Sequence, residues 1–245
     1  MKRSSAELKA LARGYLQGRY TIAIELILVC YMILFGLSEI GLLCFSMNGF
    51  ALIDLAGNFM ISLLTIMVST GLSYCFLAIS RGWQVRITDL FFTFRFQPDK
   101  ALILSLIYSV VMTVLELPST VISSSFGQFS DYLNTNIFLA LILILTSVVC
   151  LILSVIFQLA FAMCYYIYMD HPEMSVQQII QTGFHMMKGN KVRLFYIYIS
   201  FIGLILLSCL TCFIGLLWVL PYIQVTAAVF YRELNGELPP KSPVA

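Results

Sequence analysis

The chain has 245 residues, 60% of them apolar and 11% charged, with a mean hydropathy of +0.95. Soluble domains run near ~45–50% apolar and ~25% charged, so a water-soluble globule is excluded and the solvent for most of this surface is lipid. A net charge of +2 supplies no basic field for nucleic acid, and no nucleic-acid partner is expected.

The first element predicted is a surface helix in "SAELKALARGYLQG". Leu8, Leu11, Ala12 and Tyr15 share one face, Ser4 and Glu7 form a capping box, and Gly18 stops the helix. The run from Tyr20 to Cys44 follows. Basic residues precede it, as in a signal peptide. At about 25 residues it exceeds a signal core of ~7–15, and no small-x-small cleavage site closes it. It is expected to be a retained anchor.

A bilayer core of ~30 Å takes about 20 helical residues. Six spans are predicted, at 21–44, 53–79, 101–118, 137–168, 194–212 and 215–231. Residues 194–231 form one apolar run that would reach about 57 Å as a single helix. Gly215 and Pro221 are available to break it, so a hairpin is expected near "TCFIG". The span 137–168 would reach about 48 Å, and its "CYYIYMDH" end is expected to project into the interfacial aromatic belt.

With six spans, all 14 Lys and Arg fall on one side. The loops on the other side, "FSMNGFA", "PSTVISSSFGQFSDYLNTN" and the "TCFIG" turn, contain none. Under the positive-inside rule both termini are expected in the cytoplasm of a multi-pass cell-membrane protein.

Between spans, "RGWQVRITDLFFTFRFQPDK" places Trp83, Ile87, Leu90, Phe91 and Phe94 on one helical face. This predicts an amphipathic helix lying in the cytoplasmic interface and ended by Pro98; an ordinary loop packed on the spans is the alternative. Its basic residues would reach anionic headgroups at about 1 kcal/mol each. A third such helix is predicted in "SVQQIIQTGFHMMKG". There Val176, Ile179, Ile180, Gly183, Phe184 and Met187 share a face, Ser175 and Gln178 cap, and Gly189 stops. Each surface helix precedes a pair of spans. The fold class expected is therefore an all-α polytopic membrane protein, one integral domain over 1–245. Its helix-plus-hairpin units would cover about 1–80, 81–170 and 171–235, with a short tail at 236–245.

Charge inside lipid is the default functional signal. Glu25 and Glu39 lie on nearly one face of the first span, Asp54 and Glu116 near the outer ends of theirs, and Asp131 in an outer loop. These acids read either as a cation-attracting mouth with Glu25 as a deeper relay, or as shallow carboxylates that snorkel to water. The stripes Ser62, Thr65, Ser69, Ser73 and Ser147, Cys150, Ser154, Gln158 suit helix packing. Gln158 is larger than packing needs and is a candidate cavity residue. The candidate ligand or ion pathway is Glu25, Glu39, Asp54, Glu116 and Gln158. The candidate lipid-headgroup contacts are Arg81, Arg86, Arg95, Lys100, Lys188, Lys191 and Arg193.

No catalytic motif is present, His171 and His185 are far apart, and no group of ligands has zinc-site spacing. No catalytic residue, metal or cofactor is expected. The 7 cysteines lack disulfide spacing, and the Cys209/Cys212 pair reads as packing residues.

Several stretches resemble the domain-of-unknown-function 975 family of bacterial integral membrane proteins. The first holds Arg81, Gly82, Asp89, Leu90, Phe91 and Phe94. The second holds Gly189, Lys191, Leu194, Phe195, Ser200, Phe201 and Gly203, and the third Pro221, Tyr222, Thr226, Phe230 and Tyr231. The resemblance implies a polytopic membrane protein of Gram-positive type and supplies no catalytic residues. The function expected is non-enzymatic: an interaction, accessory or lipid-sensing protein of the cell envelope. Its partners would be membrane lipids, with a second membrane protein as a further candidate. A small-solute or ion transporter is the alternative, and a membrane-embedded enzyme the third.

Overall fold

The computed structural model describes residues 3–41, 43–44, 51–124 and 137–239. The side chains of 51–55, 120–124, 137 and 139–140 lie outside that description. So do Asp131, Lys2, Lys241 and the side chain of Asp54.

The described residues are helical, with no strand among them. In chain order they form α1 (Ser5–Leu16), α2 (Tyr20–Gly41), α3 (Ala51–Ser80), a 3-10 turn (Ile87–Phe91), α4 (Phe92–Arg95), α5 (Pro98–Ser124) and α6 (Ile137–Asp170). Then come α7 (Val176–Met187), α8 (Lys191–Ile199), α9 (Ile202–Leu210) and α10 (Leu216–Leu234). Five helical stretches are long and apolar enough to cross a membrane: Tyr20–Gly41, Ala56–Ser80, Pro98–Ser119, Leu141–Asp170 and Lys191–Leu210. This is the character of an integral membrane protein. The outside agrees: Met32 and Phe35 of α2, Val114 of α5, Leu145 of α6 and Leu206 of α9 are exposed. Water would not tolerate apolar surface this extensive.

The sixth predicted span, α10, forms but is not one of those five stretches. The reason is its position. It packs on α1, α2, α3, α6, α8 and α9, and Val225 to Tyr231 are all buried. A helix surrounded by protein can carry Pro221, Tyr222, Gln224 and Thr226, which a lipid-facing helix would not.

The long helices alternate in direction, and polar contacts tie their basic ends together. Arg19, before α2, donates to the carbonyls of Gly82 and Trp83 beyond α3, at 2.8 and 3.2 Å. Lys100 of α5 donates to Pro172 and Met174 beyond α6, at 2.5 and 2.9 Å. Arg193 of α8 pairs with Glu233 of α10 at 2.5 Å.

Helices α1 and α7 form where the capping boxes predict, with Ser4 to Glu7 N at 3.3 Å and Ser175 to Gln178 N at 3.4 Å. Their apolar faces turn to protein: Leu8, Ala12 and Leu16 are buried, as are Ile179, Gly183 and Met187. α7 seats on α6 at Gly183, where an added Cβ would stand 2.5 Å from the Cys164 sulfur.

The helix predicted over Trp83 to Phe96 does not form. Residues 83–86 carry no regular structure, with Arg86 extended, then the 3-10 turn and the four-residue α4 follow. Gly82 takes φ +85° and closes the end of α3, with Trp83 N bonded to Ala78 O at 3.0 Å. The chain leaves extended, and Asp89 caps the Arg86 N–H at 2.8 Å. The buried positions are Leu90 and Thr93, three apart, which suits the 3-10 period. Trp83, Ile87, Phe91 and Phe94 are exposed. Pro98 begins α5 rather than ending a helix, because its missing N–H costs nothing in a first turn.

The hairpin at 211–215 forms as predicted, between α9 and α10. A break not anticipated separates α8 from α9 at Ser200–Phe201. Lys9 reaches into it, its Nζ 3.0 Å from the Ser200 carbonyl and 3.9 Å from the Phe201 ring centroid. All 7 cysteines are free.

Candidate functional site

Two neighbouring cavities lie within the bundle. The larger, of about 520 Å³, sits among α3, α5, α6, α8 and α10. Its polar lining is Ser69, Thr70 and Ser73 of α3, Tyr108 of α5, Gln158, Tyr165 and Tyr166 of α6, Tyr198 of α8 and Gln224 of α10. Ile66, Val155, Leu159, Phe195 and others complete it with apolar surface. Among the described residues, no charged side chain lines it. The smaller, of about 300 Å³, lies among α3, α5 and α6, with Ser62, Thr65, Ser109, Thr113 and Glu116 in its wall. Both are lined by Ile66, Tyr108 and Gln158.

The walls differ in exposure. Thr70 is 3% exposed and Phe161, behind the aromatic wall, is 1% exposed. Gln158 of α6 is exposed, as are Phe195 and Tyr198 of α8. The mouth of the larger cavity therefore lies between α6 and α8. The most apolar stretch of α6, which borders that mouth, has no buried residue.

Hydrogen bonding in the wall is uneven. Ser69 and Thr70 donate to the carbonyls of Thr65 and Ile66 in their own helix, both at 2.8 Å. Ser73 bonds Tyr166. Ser62 and Ser109 bond each other across α3 and α5 at 2.7 Å. The Gln158 amide has only the Met112 sulfur, at 4.0 Å. Among the described residues, no hydrogen bond reaches the Tyr165 hydroxyl, which is buried, nor those of Tyr108 and Tyr198 or the Gln224 amide. Left unpaired in an apolar interior, the Tyr165 hydroxyl costs about 1–3 kcal/mol. An apolar cavity on which a few amides and phenols converge is the ordinary makeup of a ligand site.

Of the predicted pathway residues, Gln158 and Glu116 meet at the smaller cavity. Glu25 and Glu39 are exposed on α2 and line neither cavity. Asp54 lies on α3, its side chain outside the described residues. Gln224, Tyr198 and Tyr165 were not singled out by the sequence. An amide inside an apolar run, the signal that picked Gln158, also marks Gln224.

The basic end is organised as a clasp. Arg81, its side chain 15% exposed, binds Asp170 in a fork at 2.7 and 2.6 Å and Glu237 at 2.6 and 3.1 Å. Tyr231 donates to Asp170 at 2.8 Å, and Arg232 bonds Glu237 and the Ser80 carbonyl. Burial lowers the Arg81 pKa, but its two carboxylates outweigh that and hold the guanidinium charged more firmly than usual. A second clasp joins Arg193 to Glu233 and the Arg3 carbonyl, with Arg3 N on Glu233 at 2.6 Å. Arg81, Lys100 and Arg193, three of the predicted headgroup contacts, are thus engaged by protein. Arg86, Arg95 and Lys188 are exposed, and Lys191 is half-buried near the Phe184 ring, 6.0 Å from its centroid.

The model of the family described as "Protein of unknown function (DUF975)" matches residues 1–237. The chain belongs to the DUF975 family. No curated protein and no solved structure matches it. The DUF975 match takes in α1, both clasps and every cavity-lining residue, and ends at Glu237, the tail carboxylate held by Arg81.

Proposed function

We propose that this DUF975 protein is a non-enzymatic, six-span protein of the bacterial cell membrane that holds a lipid-like ligand inside its bundle and acts as a lipid-sensing or accessory component. Both termini and the basic end face the cytoplasm, following the placement of Lys and Arg. Its surface segments, α1, the 83–96 stretch and α7, lie at that interface and open three helix-plus-hairpin units. The exposed Arg86, Arg95 and Lys188 meet anionic headgroups there. A second membrane protein is the further partner.

The observation behind this reading is the cavity whose amides and phenols, the unpaired Tyr165 hydroxyl among them, converge behind a mouth between α6 and α8. The test is lipid analysis of the protein extracted in native membrane discs. A ligand should be retained at about one per chain, and Ala162→Phe, which fills the cavity, should release it without lowering the melting temperature. No retained ligand in either protein defeats the reading. Turnover of a lipid, lost on changing one residue, would make the protein an enzyme instead.

A second reading, a small-solute or ion transporter, draws on the two cavities having Gln158 and Tyr108 in common, with Glu116 in the wall of one and Gln224 in the wall of the other. Flux in proteoliposomes that disappears in Glu116→Gln would support it. Flux unchanged by that substitution would count against it.

A further inference from the structure

The lining and depth of the larger cavity bear on what kind of ligand it takes. We infer that the cavity is a site for a neutral amphiphile, one long hydrocarbon tail or more carrying an uncharged carbonyl- or hydroxyl-bearing head. This inference rests on the ligand-binding reading above and narrows it.

Depth is the first argument. Helix α6 ends at Asp170 in the clasp. Tyr166 lies four residues before it and Gln158 twelve, which at ~1.5 Å per residue puts them about 6 and about 18 Å from that end. On α8, which starts at the same end, Tyr198 is seven residues in, or about 10 Å. The polar wall therefore runs from the headgroup boundary at Tyr165 and Tyr166 down to Gln158, in the hydrocarbon of the leaflet next to the basic end. A phospholipid whose tails lie in that leaflet keeps its phosphate at the surface. A diglyceride or a quinone lets its head sink.

Charge is the second. Among the described residues, no Lys, Arg or His lines this cavity to meet a phosphate, and no Asp or Glu to meet a cation. An unpaired ion buried at this depth is far costlier than a neutral dipole. Glu116 lines the neighbouring cavity and would further repel an anion.

Donor count is the third. The amides of Gln158 and Gln224 and the hydroxyls of Tyr108, Tyr165 and Tyr198 offer both N–H or O–H donors and acceptor oxygens, with no net charge. That balance suits a head that carries carbonyl or hydroxyl groups. The apolar remainder, including Val155, Leu159 and Phe195, continues out through the mouth toward lipid, along the path a tail would take.

The test uses the full-length protein in nanodiscs with two photoreactive probes, a diacylglycerol and a long-chain quinone. Adducts should map to peptides holding residues 155–166 and 195–198. The probe that labels identifies the source of the head, and unlabelled neutral lipid should compete at least tenfold better than phosphatidylglycerol. Gln158→Leu and Gln224→Leu should each weaken labelling about tenfold. Replacing an amide by leucine inside lipid leaves the fold intact, and an unshifted melting temperature verifies it. Equal competition by phosphatidylglycerol overturns the neutral-head inference while leaving a lipid site in place. Labelling by neither probe, with phosphatidylglycerol retained at the cavity, does the same. Absence of any cavity ligand overturns both.

Discussion

Arg81 shows how far a single charge can be read from sequence. Its position after an apolar run indicates its end of the bundle, and no more. Its partners, Asp170 and Glu237, stand 89 and 156 residues away, beyond any local pattern. Read locally, it is a headgroup contact; in the structure it holds α3, α6 and the tail together. Exposed ion pairs are worth about 0–1 kcal/mol, whereas breaking a buried one costs about 3–5. With its side chain 15% exposed and two carboxylates to satisfy, Arg81→Leu should destabilise by about 2–4 kcal/mol. Urea or thermal unfolding in detergent would check this, and Arg86→Leu, an exposed neighbour, should stay near zero. Glu237 adds a pH dependence. Burial alone would raise its pKa, but hydrogen bonds from Arg81, Asn235 and Arg232 outweigh that and hold it below the ordinary glutamate value. A carboxylate depressed in the folded state stabilises above its unfolded pKa and loses that contribution as pH falls through the depressed value. Proteolysis at the tail should therefore accelerate only in acid, below the usual glutamate range. In Glu237→Gln the tail should be cut readily even at neutral pH.

At the scale of elements, the long apolar runs were legible because lipid selects length and hydropathy together. Five of the spans, and the hairpin at 211–215, lie where the pattern puts them. The capping boxes and the glycines at 18 and 189, both with positive φ, fixed the ends of α1 and α7. The 83–96 stretch departs from its pattern: its apolar residues fit a 3.6-residue period, while the surface it docks on accepts Leu90 and Thr93. That surface is Gly71 of α3, where an added Cβ would sit 1.8 Å from the Leu90 carbonyl oxygen. Tyr74 then stacks on Phe92 at 3.9 Å. Gly71→Val should unseat the whole segment, at about 1–3 kcal/mol, and shift the emission of the nearby Trp83. If the segment were an independent interfacial helix, Gly71→Val would leave that emission unchanged.

For the whole molecule, the placement of Lys and Arg predicts an orientation with the basic end in the cytoplasm, and native thiols can test it. Cys212 lies exposed in the hairpin at the end opposite the clasps. An impermeant maleimide added to intact cells should label it, and should miss a cysteine placed at Arg86 or Lys188 until the membrane is opened. The reverse pattern would invert the topology. The cavity was legible only through Gln158, an amide too large to be filler. The rest of its wall comes from five helices whose facing sides follow from three-dimensional packing, and hydropathy carries no record of which faces meet.

Lys9 deserves its place in that packing. The break at Ser200–Phe201 leaves a carbonyl without its helical partner, and the Lys9 ammonium takes it while resting on Phe201. The segment just before the break bears Phe195 and Tyr198, which form one lip of the mouth. The N-terminal helix therefore works as a doorstop: peeling it away would strand that oxygen in oil and invite the rod to straighten, narrowing or widening the doorway from a distance.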